Sequence, residues 1–327
     1  MNAPPGRVVV VGSLNVDLTV TVPRHPRPGE TLTGAGGTYA PGGKGANQAL
    51  AASLAGAPTS MVGAVGSDAN AVTAISLLRR GGVGLEAVET VPGPTGLAVI
   101  AVDEAGENTI IVVPGANGQV SATTVDAHAG TVGDAEVVIS QCEIPTEAIT
   151  ATARATKGRF ILNLAPATPL PLEVLRRADP LVVNEHEAQV LLHHLEHGTT
   201  DDGATVVTAD ERPGGSGPLR VDDGAPDYAE VAARIRRRGI GAVVITLGAD
   251  GALVVDDDGA TPVPSPSVQV LDTTGAGDAF VGTLGAHLAV GVDLRTATAI
   301  ACRAGALAST APGAQSSYAA AFAALRT

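Results

Sequence analysis

The chain has 327 residues, of which 45% are hydrophobic and only 2% aromatic, and its formal net charge is −13. This acidity argues against a sequence-independent grip on nucleic acid, which needs clustered lysine and arginine side chains against phosphate. No run of about 18 uncharged apolar residues occurs, so a membrane span is not expected. The start of the chain lacks a signal-peptide pattern, and this favours a cytoplasmic location.

Strand-like and helix-like segments alternate along the chain. Short runs rich in β-branched residues suit buried parallel strands, and stretches with helical periodicity separate them. This alternation predicts βαβ units, and hence an α/β fold with a mostly parallel sheet covered on both faces. In chain order we expect strand 8–11, helices 46–55 and 71–80, strand 137–139, helix 146–156, strands 160–164 and 181–183, helices 185–195 and 228–238, and strand 243–247.

Three segments depart from this alternation. Residues 31–40 and 97–113 read as extended, and they predict a small antiparallel lid separate from the main sheet. Residues 198–230 are rich in Gly, Asp, Thr and Pro, which predicts a surface insertion. We interpret residues 1–327 as one domain that carries both the lid and the insertion.

The most informative motif runs from Asp272 to Phe280 and reads DTTGAGDAF. It follows a strand-like segment at 268–271 and opens an apolar helix at 279–290. A glycine-rich turn entering a helix leaves free backbone N–H groups at the positive end of the helix dipole, which predicts an anion site for a phosphoryl group. Asp278 is placed to take a proton from an attacking hydroxyl. The alternative is an aspartate that only complements the helix dipole.

A second glycine-rich string runs from Pro41 to Gln48 and reads PGGKGANQ. Its glycines let the backbone approach a ligand closely, and Lys44 is one of only two lysines in the chain. The string is not a Walker A loop, because Gly45 stands where Ser or Thr should follow the lysine. The alternative interpretation is a loop with a solvated lysine.

Three further strings stand at expected strand ends, where α/β sheets bind their ligands. Asn15 and Asp17 alternate on one side of an extended chain, as a polyol binder requires, or they are ordinary turn residues. Asn184 and Glu187 share a helix face and could hold Mg²⁺ waters and nucleotide phosphate, or form a plain helix cap. The string 246–251 could let a nucleotide lie against the backbone, or be an ordinary hairpin.

The order and spacing of these five strings, from about Val8 to Ser317, resemble the ribokinase-like (PfkB) carbohydrate kinase family. The resemblance implies a three-layer α/β domain with a β-sheet lid and a homodimer formed through the lids. It also implies transfer of the γ-phosphate of ATP to the 5-hydroxyl of D-ribose, with Mg²⁺ and a monovalent cation, K⁺, as cofactors.

The resemblance implies a role for each matching residue. Asp278 would be the general base, beside an anion hole formed by Gly275, Ala276 and Gly277. Together with Asp278, the residues that would contact the sugar are Asn15, Asp17, Gly43, Lys44, Asn47 and Glu143. The residues that would face ATP are Asn184, Thr246, Gly248, Gly251 and Gly277.

Two kinds of metal site are implied as well. Glu187 would support Mg²⁺ through water. The residues that would surround the monovalent cation are Asp272, Thr274, Ala308, Ala311, Gly313 and Ser317. The sequence departs from the family pattern at Cys302 and Arg303, where relatives usually carry Asn or His near the adenine.

Other functions remain open at this stage. Within the same class, the chain could phosphorylate fructose, 2-keto-3-deoxygluconate or a nucleoside. A nucleoside is disfavoured because Tyr39 is the only aromatic residue in the lid strings. From a different class, the chain could be a non-catalytic sugar-binding regulator, but such a protein has no need of a base at Asp278.

Overall fold

The computed structural model describes residues 6–198 and 226–326. The strands are β1 (Val8–Val11), β2 (Asn15–Thr21), β3 (Ala35–Gly42), β4 (Thr59–Gly66), β5 (Gly84–Val91), β6 (Gly96–Val102), β7 (Asn108–Val113), β8 (Val137–Gln141), β9 (Arg159–Asn163), β10 (Leu181–Asn184), β11 (Val243–Thr246), β12 (Ala252–Asp256) and β13 (Gly259–Val263). The helices are α1 (Lys44–Leu54), α2 (Asn70–Ala74), α3 (Ser76–Arg80), α4 (Ala122–Ala127), α5 (Ala129–Gly133), α6 (Thr146–Ala155), α7 (Leu172–Arg177), α8 (Glu185–His197), α9 (Tyr228–Arg236), α10 (Ala276–Ala289), α11 (Leu294–Ala308) and α12 (Ala314–Leu325).

Nine strands form the large sheet, in the order β13-β12-β11-β10-β9-β8-β1-β4-β5. Every neighbouring pair from β5 to β11 is parallel, and the antiparallel pairs involve only β12 and β13 at one edge. In register, Val8 of β1 lies between Thr59 of β4 and Val137 of β8. The predicted α/β fold with a mostly parallel sheet is therefore confirmed.

Helices cover both faces of the large sheet because its strands bury side chains on both sides. Along β1, Val8 and Val10 belong to one core cluster, and Val9 and Val11 belong to the other. Helices α1, α10, α11 and α12 pack on the first face, and α6, α7, α8 and α9 pack on the second. The result is the three-layer arrangement that the family resemblance implies.

The small sheet has the strand order β3-β2-β6-β7. It includes both segments predicted as a lid, and it also includes β2, which the sequence interpretation left out. The predicted small sheet separate from the main sheet is confirmed, and its pairs β2–β3 and β6–β7 are antiparallel as predicted. The central pair β2–β6 is parallel, so the lid is a mixed sheet and not an antiparallel one. The reason lies in the connections: β2 follows β1 and β6 follows β5, and these two strands point the same way in the large sheet.

Two local predictions also need correction. Residues 268–271 form no strand; the N–H groups of Leu271 and Asp272 donate instead to the carbonyl of Ser309, at 2.8 and 3.2 Å. The apolar residues of this segment are not buried as those of a core strand would be, since Val270 is 54% and Leu271 65% exposed. The single helix expected over 71–80 divides at Ile75 into α2 and α3.

The predicted surface insertion falls almost entirely where the chain is not described. Residues 199–225 lie outside the described residues, and Tyr228 already begins α9. In the described ranges, no helix has the length and apolar character needed to cross a membrane.

Candidate active site

The carboxyl ends of three neighbouring parallel strands border a cavity of about 240 Å³. Asn163 ends β9, Asn184 ends β10 and Thr246 ends β11, and all three residues line the cavity. This edge is where ligands bind in open α/β sheets. The other lining residues that the sequence singled out are Lys44, Glu187, Thr273, Gly275, Gly277 and Asp278.

Asp278 stands in the first turn of α10, with its carboxylate held on both sides. Asn47 Nδ2 donates to Asp278 Oδ2 at 2.9 Å, and Gln48 Nε2 donates to Asp278 Oδ1 at 2.8 Å. Both donors lie in the first half of α1, which packs against α10. The side chain is 8% exposed and lines the cavity, so a carboxylate of fixed orientation faces the space where a substrate would lie.

The N-terminus of α10 is open to the cavity. No side chain caps this helix, and its N-cap residue, Gly275, has a φ of 74°, which favours glycine. The hydroxyl of Tyr318 holds this turn by donating to the Gly275 carbonyl at 2.6 Å. A Cβ on Gly277 would meet no atom within 4 Å. Of the three predicted anion-hole donors, the Ala276 N–H already donates to the Thr273 carbonyl at 3.1 Å. The Gly275 and Gly277 N–H groups and the positive end of the helix dipole are left for an anion.

Lys44 lies among carboxylates at the start of α1. Burial acts to lower the pKa of Lys44, but the charges of Asp278, Glu143 and Glu187 outweigh it and raise the pKa above its ordinary value. The backbone N–H of Lys44 also donates to Glu143 Oε2 at 3.1 Å, and the Ser13 hydroxyl donates to the same oxygen at 2.6 Å. The lysine therefore stays charged at this wall of the cavity.

Asp17 is directed towards this group of charges from the lid strand β2. Burial, followed by the neighbouring charges of Glu143 and Asp278, raises the pKa of Asp17 to about 7, against a partial lowering by Lys44. A Cβ on Gly42, in the paired strand β3, would overlap the Asp17 carboxylate. Glycine at that position makes room for the carboxylate.

The raised pKa of Asp17 predicts a pH-dependent stability difference. An unfolded aspartate releases its proton near pH 3.8, whereas folded Asp17 holds its proton until about pH 7. The folded state therefore binds more protons across this range, and its stability falls as the pH rises. Asp17→Asn lacks this titrating group. We therefore expect the difference in free energy of unfolding, variant minus ligand-free natural protein, to increase by on the order of 1–4 kcal/mol between pH 4 and pH 7. Urea unfolding at several pH values measures this difference, and a constant difference would contradict the assignment.

Asn15 is also fixed by a neighbour from another part of the chain. Asn117 Nδ2 donates to Asn15 Oδ1 at 2.6 Å, and Asn117 Oδ1 accepts from the Leu14 N–H at 2.8 Å. Asn15 is 3% exposed. A Cβ on Gly43 would press against the Asn15 backbone, so Gly43 supports this strand start.

Asn184 and Glu187 combine the two interpretations that the sequence left open. Asn184 Oδ1 accepts from the Glu187 N–H, and Glu187 Oε2 accepts from the Asn184 N–H, both at 2.8 Å. This capping box starts α8, and both residues also line the cavity. Burial raises the pKa of Glu187, against the lowering effect of the Asn184 N–H.

The segment before α10 and the turn before α12 are joined by Asp272. Its Oδ1 accepts from the Thr274 N–H at 2.9 Å and its Oδ2 accepts from the Gly313 N–H at 2.7 Å. Burial acts to raise the pKa of Asp272, but the Thr274 side chain, followed by the Gly313 and Thr274 N–H groups, outweighs it, and the pKa lies below its ordinary value. Ala308 and Ser317 are buried near this junction, at 0% and 1% exposure.

Many residues discussed from the sequence do not line this cavity. Besides Gly248, Gly251 and Cys302, the predicted site residues outside the lining are Asn15, Asp17, Gly43, Asn47, Glu143, Asp272, Thr274, Ala276, Ala308, Ala311, Gly313 and Ser317. Gly248 and Gly251 lie in the turn between β11 and β12, and a Cβ on Gly251 would overlap the Val263 carbonyl. Cys302 is buried in the core and directs its thiol to the same carbonyl, at 3.8 Å. Within the described parts of the chain, no cluster of three or more His, Cys, Asp or Glu suits a metal ion.

The sequence model of the pfkB family carbohydrate kinase matches residues 6–321. The chain belongs to this family. Ribokinase from Schizosaccharomyces pombe is 34% identical over 323 residues, which cover 95% of this chain and 94% of that protein. The bifunctional ribokinase/ribose-5-phosphate isomerase A of Fructilactobacillus sanfranciscensis is 35% identical over 319 residues, which are 95% of this chain and 54% of that protein. This chain therefore spans about half the length of the bifunctional relative.

A solved structure supports the same assignment. Arabidopsis thaliana ribokinase, complexed with ribose and ATP, has a TM-score of 0.81 and 29% identity, and the match covers 99% of this chain and 100% of that chain. The ribokinase-like fold predicted from the resemblance is therefore confirmed, and so is the expectation of a sugar kinase.

The kinase also contains site residues to which sequence reasoning gave no role. Gln48, Gln141, Asn163 and Gln315 form the hydrogen-bond surroundings of Asp278 and Asn47. Asn163 had a usable signal, because it ends a buried strand in the same way as Asn184. Gln141 had the same signal, since it ends the buried strand β8, and Gln48 stands in the glycine-rich string 41–48. Gln315 had none, since its partner Asn47 lies 268 positions away along the chain.

Proposed function

We propose that this kinase transfers the γ-phosphoryl group of ATP to the 5-hydroxyl of D-ribose. The observation that carries the proposal is the Asp278 carboxylate, held by two amide donors beside the uncapped N-terminus of α10. A base and an anion site thus adjoin within one cavity, as phosphoryl transfer to a hydroxyl requires. The ribokinases among its relatives support ribose as the acceptor.

The proposed mechanism gives each part of the site one task. Asp278 accepts the proton of the ribose 5-hydroxyl while that oxygen attacks the γ-phosphorus of ATP. The new O–P bond forms as the bond from phosphorus to the bridging oxygen breaks, and ADP leaves. The backbone N–H groups of Gly275, Ala276 and Gly277 stabilise the charge on the transferring group. For Ala276 this requires its N–H to exchange the Thr273 carbonyl for a phosphoryl oxygen.

The sugar is proposed to bind between the lid and α1. Asp17 and Glu143 would accept hydrogen bonds from sugar hydroxyls, and Lys44 balances their charge. Asn15, Gly43 and Asn47 complete the proposed contacts. Closure of the lid strands over the sugar would exclude water and limit wasteful hydrolysis of ATP.

The proposed ATP contacts lie at the ends of β10 and β11, in the turn after β11 and at the start of α10. Asn184, Thr246 and Gly277 line the cavity directly. Gly248 and Gly251 belong to the neighbouring turn. They would contact the nucleotide only where the bound ATP extends past Thr246. Local neutralisation by the helix N-terminus lets a protein of net charge −13 bind a polyphosphate.

Two cations are proposed to assist. Glu187 suits Mg²⁺, because a single buried carboxylate on the cavity wall is the kind of ligand that holds this ion through water. The Asp272 carboxylate accepts hydrogen bonds from the Thr274 and Gly313 N–H groups, and thereby joins the segment before α10 to the turn before α12. We propose that a monovalent cation binds at this junction through oxygen atoms of Asp272, Thr274, Ala308, Ala311, Gly313 and Ser317. When bound, Mg²⁺ neutralises phosphate charge, and K⁺ supports the adjoining anion site.

The lid supports the proposal of a homodimer. Strand β7 lies at the edge of the small sheet. Its residues Ile110, Ile111, Val112 and Val113 are 45–62% exposed, and Tyr39 on β3 is 57% exposed. Such an apolar edge favours pairing with a second copy.

A cytoplasmic location of the protein stays a prediction.

A substrate panel tests the proposed function. We expect kcat/KM for D-ribose to exceed that for fructose, 2-keto-3-deoxygluconate and adenosine by at least about tenfold, because misplaced hydroxyls leave buried polar groups unpaired. K⁺ should stimulate turnover of ribose. A coupled assay of ADP release measures both effects. If another acceptor is preferred, the proposal of ribose as the substrate is wrong. If a sugar binds but ADP is released with none of the acceptors, the protein is the non-catalytic regulator.

A further inference from the structure

Two glutamines lie one hydrogen bond behind the pair of amides that holds Asp278. Gln141 Nε2 donates to Gln48 Oε1 at 2.6 Å, and Gln315 Nε2 donates to Asn47 Oδ1 at 3.0 Å. Gln48 and Gln141 are 0% exposed, Gln315 is 2% exposed and Asn47 is 5% exposed. Two buried chains of amides therefore end on the two oxygens of one carboxylate.

The chemistry of the amide group explains why such a second layer is needed. An ionised carboxylate only accepts hydrogen bonds, so Asn47 and Gln48 must each present their NH₂ group to Asp278. The NH₂ group and the oxygen of an amide have nearly the same size, so packing hardly distinguishes one orientation from its flipped form. A donor placed behind the amide does distinguish them, because it holds the oxygen and leaves the NH₂ group towards Asp278.

We call the chain Gln141–Gln48–Asp278 the Gln48 arm and the chain Gln315–Asn47–Asp278 the Asn47 arm. The Gln48 arm is the more constrained of the two. Gln48 Nε2 donates to Asp278 Oδ1 at 2.8 Å and to Asn163 Oδ1 at 2.9 Å. The orientation of Asn163 is itself set, because its Nδ2 donates to the Val182 carbonyl at 3.2 Å. A flipped Gln48 would place its oxygen against two acceptors and its NH₂ group against the donor Gln141.

We propose that Gln141 and Gln315 are positioning residues that fix the amide orientation of Gln48 and Asn47, and thereby keep the Asp278 carboxylate in the orientation needed to receive the proton. This inference rests on the proposed function. It extends that function to two residues that touch neither the reacting hydroxyl nor the phosphoryl group. The two arms have different consequences, because Asn47 is also a proposed sugar contact whereas Gln48 is not.

The Gln141→Glu variant tests the Gln48 arm. Glutamate has nearly the shape of glutamine, but its ionised form only accepts hydrogen bonds, so it favours the flipped Gln48. Its protonated form donates and restores the native orientation. Burial raises the pKa of such a glutamate, so both forms occur in an accessible pH range. We expect the ratio of variant to natural kcat to fall by about tenfold from pH 6 to pH 9, with the sugar KM changing less than about threefold.

The Gln141→Met variant is the matched control. Methionine has a similar volume and removes the donor without adding an acceptor or a titrating group, so its kcat ratio should not depend on pH. The charged groups near Asp278, namely Lys44, Glu143, Asp17 and Glu187, are the same in both variants. A flat pH ratio for Gln141→Glu, or the same fall in Gln141→Met, would overturn the proposal.

Gln315→Glu gives an independent test of the second arm if Gln141→Glu does not fold. Turning Asn47 should lower kcat by about tenfold and also raise the sugar KM, whereas Gln315→Met should change both less. An unchanged kcat in a folded Gln315→Glu variant would overturn the proposal for this arm.

The natural protein is assayed first with the substrate panel. Failure to phosphorylate any sugar overturns the proposed function, whereas normal turnover with unaffected variants overturns only the positioning role.

Discussion

Replacement of Asp278 by asparagine is expected to lower kcat by about 10²–10⁴-fold, the usual contribution of a general base. Asparagine cannot take up the hydroxyl proton near neutral pH. It keeps the shape of the side chain, and its oxygen can still accept one of the two hydrogen bonds from Asn47 and Gln48. Sugar affinity should therefore stay within about tenfold of the natural value.

The matched control is Asp293→Asn. Asp293 also stands at a helix N-terminus, where it caps α11 by accepting from the Thr296 N–H at 3.0 Å. Asparagine is an equally good cap, and position 293 does not line the cavity, so kcat should not change. Steady-state kinetics gives kcat, and calorimetry gives sugar affinity. Near-normal kcat in Asp278→Asn would leave only the helix-dipole interpretation of this aspartate.

The second large effect is expected for Gly277→Val. A Cβ added at position 277 meets no atom of another part of the chain within 4 Å, so we expect the variant to fold. Its methyl groups would project into the open space at the N-terminus of α10 and displace the transferring phosphoryl group from the backbone donors. Loss of one such donor costs about 10²–10³-fold in kcat. We expect a decrease of that size, together with a raised KM for ATP.

Gly130→Val provides the comparison for this variant. Gly130 lies in α5 and does not line the cavity, and a Cβ added there also meets no atom of another part of the chain within 4 Å. It introduces the same β-branched residue into a helix and should leave kcat and the KM for ATP unchanged. Normal kinetics in a folded Gly277→Val variant would show that the phosphoryl group does not bind at this helix end.

Much of the fold was predictable because burial leaves a periodic trace in the sequence. The run Val8–Val11 is buried on both faces and reads as a central parallel strand. The apolar run after Asp278 predicted α10 because a fully buried helix is apolar on every side. The same reasoning failed at 268–271, where the apolar alternation accompanies exposed side chains.

Part of the site was also visible in the sequence. The glycine-rich turn at 275–277 and the aspartate that follows it predicted an anion site beside a base, because helix ends have free N–H groups wherever they occur. The polar residues at strand ends, Asn184 and Thr246, were found by the rule that parallel strands bind ligands at their carboxyl ends. These are local features, and they depend little on the rest of the chain.

The sequence by itself determined the fold class, the helix that bears Asp278 and the glycine-rich turns, because secondary structure and helix-end chemistry follow from neighbouring residues. Only the tertiary structure decided the mixed lid sheet and the partners of Asp278. The Gln48–Asp278 bond joins residues 230 positions apart, and the Gln315–Asn47 bond joins residues 268 positions apart. Hydrogen bonds over such separations depend on how the helices pack, and side-chain type and local periodicity carry no record of that packing.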